Sequence, residues 1–302
     1  MDQCPSCGAH PPQLFLQAPD RFHQRTELYQ LVRCPACRLV WLANPPAPSE
    51  MSIHYGGAYD RVIARAGKGQ DHWERRRRTI LKYKQGGAIL DIGCSSGGFL
   101  EALGSSAWEL FGVEISRDAA QTARLRTGAA VFTGDILDAP FEAGSFDAIT
   151  CFHVLEHLRD PKKILSCVYE WLKPGGIFYF EIPNIDSLDH WVFRSYWYAL
   201  ELPRHLYHFS PSSLRALAGT TAFSELQMRT LSGTYFEHSM RYIVADMASR
   251  AGLRTRPMAE EKQSPLVWRA MRKAHRLTAL SLLGFVASAC GRGPDLSAVF
   301  QK

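Results

Sequence analysis

The sequence predicts an α/β protein with a doubly wound, seven-stranded, mostly parallel sheet. A small metal-stapled module precedes the sheet, and a helical insert stands before its last strand. Three observations lead there. From residue 86 onward, short apolar stretches alternate with helical ones. A glycine-rich turn, "GCSSGG", follows the first of these strands. Two Cys-x-x-Cys pairs stand ahead of them, at 4–7 and 34–37.

The bulk properties allow this architecture and exclude others. A chain of 302 residues accommodates one large domain and an appendage. The net charge of +6 is mild and does not by itself point to nucleic acid. The N-terminus lacks the basic stretch and apolar run of a secretion signal. No apolar run reaches the roughly 18 residues of a spanning helix. Eight cysteines without such a signal predict a reducing, cytoplasmic setting, where metal binding is favoured over disulfides.

Residues 1–46 form the first module. "CPSC" and "CPAC" are separated by 26 residues. Two residues between cysteines make a turn that aims both sulfurs at one point, so Cys4, Cys7, Cys34 and Cys37 are the expected ligands of a tetrahedral zinc. Four thiolates close the shell, which makes the ion structural. "ELYQLV" and "RLVWL" read as the strands of a ribbon-like hairpin, with "APDRFHQRT" as an enlarged loop. A redox pair is the rival reading, but it would stand alone at a helix start. "NPPAPSE" (44–50) closes the module. Residues 47–85 read as a helical linker in which Arg75–Arg78 form a solvated face.

The alternating region, 86–302, follows. "AILDIG", "ELFGVEI", "AAVFTGD", "FDAITCFHV" and "GIFYFEIPN" are strands separated by helices. In "ILDIGCSSGGFL", Asp91 ends the strand, Gly93 permits a tight turn, and Gly97 and Gly98 allow close approach. The turn is not the dinucleotide fingerprint G-x-G-x-x-G, and its leading acid suits a cationic ligand rather than a pyrophosphate. Glu114 lies 23 residues after Asp91, where a carboxylate accepts ribose hydroxyls. Asp135 ends the third strand, where it can accept from an adenine amino group. Each acid alone could be a helix cap; three at successive strand ends define a site.

These residues resemble the class I S-adenosylmethionine-dependent methyltransferases. The likeness covers roughly 86–231 and rests on "LDIGCSSGGF", "GVEIS", "GDI", "FDAITCFHVLEHLRDP" and "WLKPGGIFYFEIPN". Ser95 stands where many members carry glycine. The resemblance implies that Asp91, Gly93, Cys94, Ser95 and Gly97 hold the amino-acid end of S-adenosylmethionine. It assigns Glu114 to the ribose and Asp135 with Ile136 to the adenine, with Ile115 and Phe152 as further cofactor-binding residues. The whole chain is similar to bacterial small-molecule methyltransferases with an N-terminal zinc-ribbon-like segment, which serve sugar, cell-surface polysaccharide or natural-product pathways. "YHFSPSSLRALA" and "FSELQMRTL" match their late helix and sixth strand.

Transfer to a hydroxyl needs alignment, exclusion of water and a base. His153 in "CFHVLEHLRDP" and His205 in "LELPRHLYHFSP" are the candidate catalytic residues, as base or acceptor orienter. Glu156 and His157 could bind a divalent ion, but an anchoring role for the loop is favoured. "HWVFRSYWYAL" either lines an acceptor pocket or is core, and Arg204 and His208 accompany it. The resemblance to sugar methyltransferases implies that Tyr55 and Tyr59 fold over the cofactor.

"LSAVF" reads as a seventh strand pairing antiparallel at the sheet edge, after an insert over 232–292. Residues 250–276 hold eight basic side chains and two acids. An apolar stripe at 267, 270, 271, 274, 277, 280 and 284 accompanies them. The pattern predicts a lid or interface helix, with peripheral membrane contact through 250–290 as the alternative. The leading functional reading is O-methylation of a small molecule or glycan. An RNA methyltransferase with a zinc ribbon is the second, disfavoured because stacking aromatics do not interleave with the ribbon's basic residues. A non-catalytic cofactor-binding scaffold is the third.

Overall fold

The computed structural model describes residues 3–9, 11–55, 70–233, 235–260, 268 and 279–302. Chain contacts gather into two units. One holds 1–63, 183–216 and 229–296; the other holds 64–182, 217–228 and 297–302. The N-terminal residues thus fall in one unit with 183–216 and 229–296.

The first unit is built on a four-stranded sheet ordered β1-β2-β3-β9, from β1 (Gln13–Pro19), β2 (Leu28–Arg33), β3 (Val40–Leu42) and β9 (Tyr207–His208). The expected hairpin is β2 and β3, antiparallel with Val32 opposite Trp41. Two strands join it unforeseen. β1 lies along β2 with a register shift between Leu14 and Leu16, and β9 pairs Tyr207 with Trp41. Trp41, Leu31 and Tyr29 of these strands are buried. The unit also holds helices α5 (Leu188–Phe193), α6 (Pro211–Ala218), α7 (Phe236–Arg250) and α8 (Ala279–Ala289), with α6 running on into the second unit.

The other unit holds the seven-stranded sheet, ordered β10-β11-β8-β7-β4-β5-β6. Its strands are β4 (Gly87–Ile92), β5 (Trp108–Glu114), β6 (Ala130–Thr133), β7 (Phe146–Phe152), β8 (Leu172–Pro183), β10 (Ser224–Leu231) and β11 (Asp295–Gln301). The pairs β4–β5, β5–β6, β4–β7 and β7–β8 are parallel. The chain runs outward from β4 through β5 to β6, then returns to the other side of β4 with β7. β4 is thus the switch point, outside whose carboxyl end ligands bind in such sheets. Helices α1 (Gln70–Tyr83), α2 (Gly98–Leu103), α3 (Arg117–Thr127) and α4 (Pro161–Trp171) complete the unit. The core joins Ile80 of α1 and Phe99 and Leu100 of α2 to Ile89, Leu110, Ala148 and Ile177 of the strands. Burying each of the larger of these side chains, the isoleucines, leucines and phenylalanine, contributes about 1.5–3 kcal/mol. Local signals set the helix ends. Ser116 caps α3 by accepting from Ala119 N–H, and Gly128 closes it at φ 71°. Asp160 caps α4 ahead of Pro161.

Two expectations are corrected here, the edge position of the last strand and the solvated Arg75–Arg78 face. The last strand is not at the edge: β11 lies between β10 and β8. Leu296 to Phe300 are all buried, which an edge strand with one free face would not require, whereas β10 carries the polar, half-exposed pattern of an edge. The 51–84 stretch is a short 3-10 turn at Met51–His54 followed by α1, with 56–69 outside the described residues. Arg75–Arg78 do not all face solvent. Arg77 and Arg78 pair with Glu74 on the outer face, but Arg76 is buried and both Arg75 and Arg76 reach Glu181.

Within the insert, α7 and α8 are helices as expected. Lys262, Arg269, Arg272, Lys273, Arg276 and most of the apolar stripe lie outside the described residues, as does Tyr59. Among the described residues no helix is long and apolar enough to cross a membrane.

Candidate functional site

The turn after β4 is built from backbone. Gly93, Ser95 and Gly97 all have positive φ, at 71°, 48° and 79°. Gly93 is required: a Cβ there would meet Val154 Cγ2 at 2.4 Å. Ser95 accepts a left-handed conformation that costs an L-residue roughly 1–2 kcal/mol. Gly93 and Cys94 N–H both donate to the Val113 carbonyl, at 2.8 and 3.1 Å. Cys94 is buried in the core, with its sulfur against Gly112, so only its backbone faces the turn. We expect Gly93→Ala to destabilise the protein by roughly 2–4 kcal/mol, the sum of left-handed strain and the Val154 clash. Denaturant unfolding checks this.

Glu114, at the end of β5, ties the turn in place. One carboxylate oxygen accepts from Ser95 N–H at 2.9 Å and the other from Ser116 N–H at 2.8 Å. A carboxylate has about four acceptor sites, so two remain for a diol. Ile115 beside it is 75% exposed, an apolar side chain offered at a strand end. Asp135 caps the turn Ile136–Asp138 through Leu137 N–H at 2.9 Å, while the Ile136 side chain packs inward.

Asp91 is buried, and Thr150 Oγ1 on the neighbouring β7 donates to it at 2.7 Å. The register that sets Asp91 opposite Thr150 makes this contact. Burial pushes its carboxyl up to about 7, against the Thr150 hydrogen bond and the Arg76 charge, with Glu114 adding to the rise.

α1 lies over the strand ends. The Arg76 guanidinium stacks on Phe152 at 4.1 Å from its centroid, and its Nε donates to Glu181 at 2.8 Å. Phe152 meets Phe99 and Tyr179 edge-on, at 5.0 and 5.1 Å. His153 follows with φ 57°; its N–H donates to the Glu181 carbonyl at 2.8 Å, and Nδ1 lies 3.7 Å from buried Glu156. The His153 side chain is 37% exposed. Asp91, the 93–97 turn, Glu114, Ile115, Asp135, Phe152 and His153 therefore share the carboxyl edge of one sheet.

His205 lies in the other unit. It is buried, its Nδ1 donates to the Ala199 carbonyl at 2.9 Å, and Nε2 is 3.8 Å from Glu201. His208 is held similarly on Leu200, and Arg204 pairs with Glu201. Of the aromatic stretch, Trp197 is core, Tyr196 donates to Asp246 at 2.6 Å, and Trp191 is 61% exposed.

The four N-terminal cysteines converge. Their sulfurs lie within 4.8 Å of one another, with Cys4–Cys37 and Cys7–Cys34 both 3.5 Å apart. Zinc–sulfur bonds of about 2.3 Å in a tetrahedron place sulfurs about 3.8 Å apart, so the donor set fits zinc. Burial pushes the Cys4 thiol up and does the same at Cys37, while the knuckle N–H groups of Cys37 and Ala36 hold Cys34 at about 7 against its own burial.

The sequence missed a second cluster. Asp20 accepts from His23 Nδ1 at 2.8 Å and lies 3.3 Å from His54 Nδ1. "DRFH" carries a faint i, i+3 signal for it. Arg25 Nη1 is 3.4 Å from His54, and the Arg204 charge helps hold Asp20 low against burial. Guanidinium groups already balance this carboxylate.

Fold and site together define a methyltransferase. A family model described as a methyltransferase domain matches residues 66–224, over half the chain, and the chain belongs to that family. The class expected from the sequence is borne out. A ubiquinone biosynthesis O-methyltransferase of Ralstonia nicotianae is 28% identical over 180 residues, covering 53% of this chain and 76% of that protein. One from Xanthomonas campestris pv. campestris is 30% identical over 164 residues, covering 50% and 67%. Among solved structures, a SAM-dependent methyltransferase from Archaeoglobus fulgidus superposes with a TM-score of 0.51 at 20% identity, over 78% of this chain and 95% of that one, a likeness of fold.

Proposed function

We propose that the protein transfers a methyl group from S-adenosylmethionine to a hydroxyl oxygen of a small molecule. The observation that carries this reading is the set of three acids at successive strand ends around the Gly93–Gly97 turn, Asp91 among them buried. In this reading Asp91 and the turn hold the cofactor's ammonium and carboxylate end. Glu114 accepts the ribose hydroxyls with its remaining lone pairs, Ile115 lies against the adenosine, Asp135 and the backbone of Ile136 accept and donate at the adenine edge, and Phe152 walls the site.

When bound, the sulfonium supplies an activated methyl group. The protein's own work is to position the acceptor oxygen, keep water away and take its proton. His153 is the favoured base: it sits on the sheet edge that carries the acids, it is partly exposed, and its Nδ1 lies 3.7 Å from Glu156. His205 is the second candidate, with Ala199 fixing its tautomer. The O-methyltransferase names of the sequence relatives support oxygen as acceptor atom. The finer reading is a sugar or glycan acceptor, with the zinc module, residues 1–46, as a docking element beside the 86–302 methyltransferase region.

A cofactor-consumption screen over phenols and catechols, nucleotide sugars, glycolipids and RNA tests the assignment. Turnover with a hydroxyl compound is expected; turnover with RNA alone overturns it. His153→Ala should lower kcat roughly 100-fold or more with cofactor affinity unchanged, and wild-type kcat in that variant removes His153 from the mechanism.

A further inference from the structure

We propose that a pocket in the first unit binds one end of a small molecule that carries a carboxylate and a hydroxyl, with Arg21 taking the carboxylate and Glu201 the hydroxyl. The proposal goes beyond the methyl-transfer reading and does not rest on it.

Arg21, Phe22, Ser195, Trp197, Glu201 and Tyr242 line the pocket, and all of them belong to that one unit. The pocket is half-open and small, so one end of a ligand enters and the rest stays outside. Its walls are aromatic: Phe22, Trp197 and Tyr242 are all buried. Tyr198 stacks on Tyr242, with centroids 5.8 Å apart, and steadies that wall. Rigid apolar faces of this kind hold a ligand's carbon skeleton, and a few placed polar groups then set its orientation.

Two charged groups enter this frame with hydrogen-bonding capacity to spare. Arg21 is held in place: its Nε donates to the Ser195 carbonyl at 3.1 Å, and the guanidinium lies over the Tyr196 ring, 3.7 Å from its centroid. Both terminal amino groups remain, and Arg21 forms no ion pair among the described residues. The acids around it are already engaged. Asp246, which accepts from the Tyr196 hydroxyl, pairs with Arg250 at 3.0 Å, and Asp20 is held by His23 and His54. Glu201 is fixed from behind. Arg204 Nε and Nη2 both donate to its Oε2 at 3.3 Å, and His205 Nε2 lies 3.8 Å from the same oxygen. Its Oε1 has no partner among the described residues. Glu201 also has φ 37°, a left-handed conformation that persists only where the surroundings impose it. Arg204 cancels the charge of Glu201, so the pocket keeps the positive charge of Arg21. Two amino groups in one plane match the two oxygens of a carboxylate. Glu201 Oε1 accepts from a hydroxyl and repels a second carboxylate. The Trp197 indole N–H is buried without a partner among the described residues, a further donor still to be satisfied.

The test is calorimetric titration of the full-length protein with two hydroxy acids, glucuronate and protocatechuate, which present the same pair of groups on a sugar and on a phenol. Each is compared with a neutral counterpart, glucose or catechol, and with an acid lacking hydroxyls, cyclohexanecarboxylate or benzoate. At least one hydroxy acid should bind, and both of its counterparts should bind about tenfold or more weakly, since each lacks one charge-assisted hydrogen bond. Arg21→Met and Arg21→Gln remove the charge and keep much of the stem. Each should lower the affinity for that acid about tenfold or more, and Arg21→Lys should recover part of the loss. Thermal melting selects the variants that fold, either of the two carries the test, and the comparison of acid with neutral counterpart in wild type stands without them. Three results overturn the proposal: equal binding of the acid and its neutral counterpart, wild-type affinity in a folded Arg21→Met or Arg21→Gln protein, or no binding of either hydroxy acid at about 10 mM.

Discussion

Asp91→Ala should weaken cofactor binding roughly 100-fold or more, because it removes a buried carboxylate from a charged hydrogen bond. Asp91 is buried and oriented by Thr150, so no other acid can swing into its place. The wild-type protein should also show a pH signature. With the Asp91 carboxyl pushed up to about 7 by burial, the ionised fraction falls about tenfold per unit below that pH. Affinity should fall with it. Folding stability moves the opposite way. The native carboxyl keeps its proton between the ordinary 3.8 and about 7, where the unfolded chain has lost its own. The native state then binds more protons, so the stability of the ligand-free protein declines as pH rises through that window and levels off above it. Asp91→Asn should flatten the decline, lose cofactor affinity, and equal or exceed wild type in ligand-free stability above pH 7. Calorimetry and denaturant titration across pH 5–9 read both. Unchanged affinity in either variant would remove Asp91 from the site.

Much of this was legible in the sequence because the informative features are local. Strands such as "ILDI" and "AITC" are buried on both faces and read as short, mostly apolar runs. Their terminal acids, and the glycines with positive φ, belong to turns of a few residues. What was misread depended on partners distant in sequence. The "LSAVF" run reads as an edge strand by its place in the chain, although its lack of charge signals an interior strand and the mixed "SELQMRTL" signals the edge. Four consecutive arginines look alike in sequence. Only the partner of Arg75 and Arg76, Glu181, more than 100 residues away, separates them from Arg77 and Arg78. A clue was present: Glu181 stands alone in the apolar strand "IFYFEIP", and a buried acid needs a base. β1 and the two-residue β9 escaped because their pairing comes from tertiary contacts rather than from pattern.

Removal of the N-terminal metal should melt the first unit's sheet. The two cysteine pairs build matching knuckles. Gly8 N–H donates to the Cys4 carbonyl and Arg38 N–H to the Cys34 carbonyl, and Gly8 and Arg38 are both left-handed, at φ 74° and 65°. Cys37 N–H also donates to Cys34 Sγ at 3.4 Å, the polarisation that a metal thiolate favours. These knuckles close the ends of a sheet whose third strand has three residues and whose fourth has two, too short to persist without a staple. Structural zinc contributes on the order of 10 kcal/mol to such modules. About one zinc per chain is expected by elemental analysis. Cys37→Ser should abolish retention of the metal and lower the melting temperature, and a strong chelator should reproduce the loss in wild type. Because Tyr207 and His208 belong to this sheet, the damage should extend beyond residue 46, to the segment carrying Arg204 and His205. Proteolysis of the chelated protein should therefore open sites near 200–210 as well as at the N-terminus. A zinc-free preparation that melts like the loaded protein would refute the structural role of the metal, and cleavage confined to the first 46 residues would show that the N-terminal module folds independently.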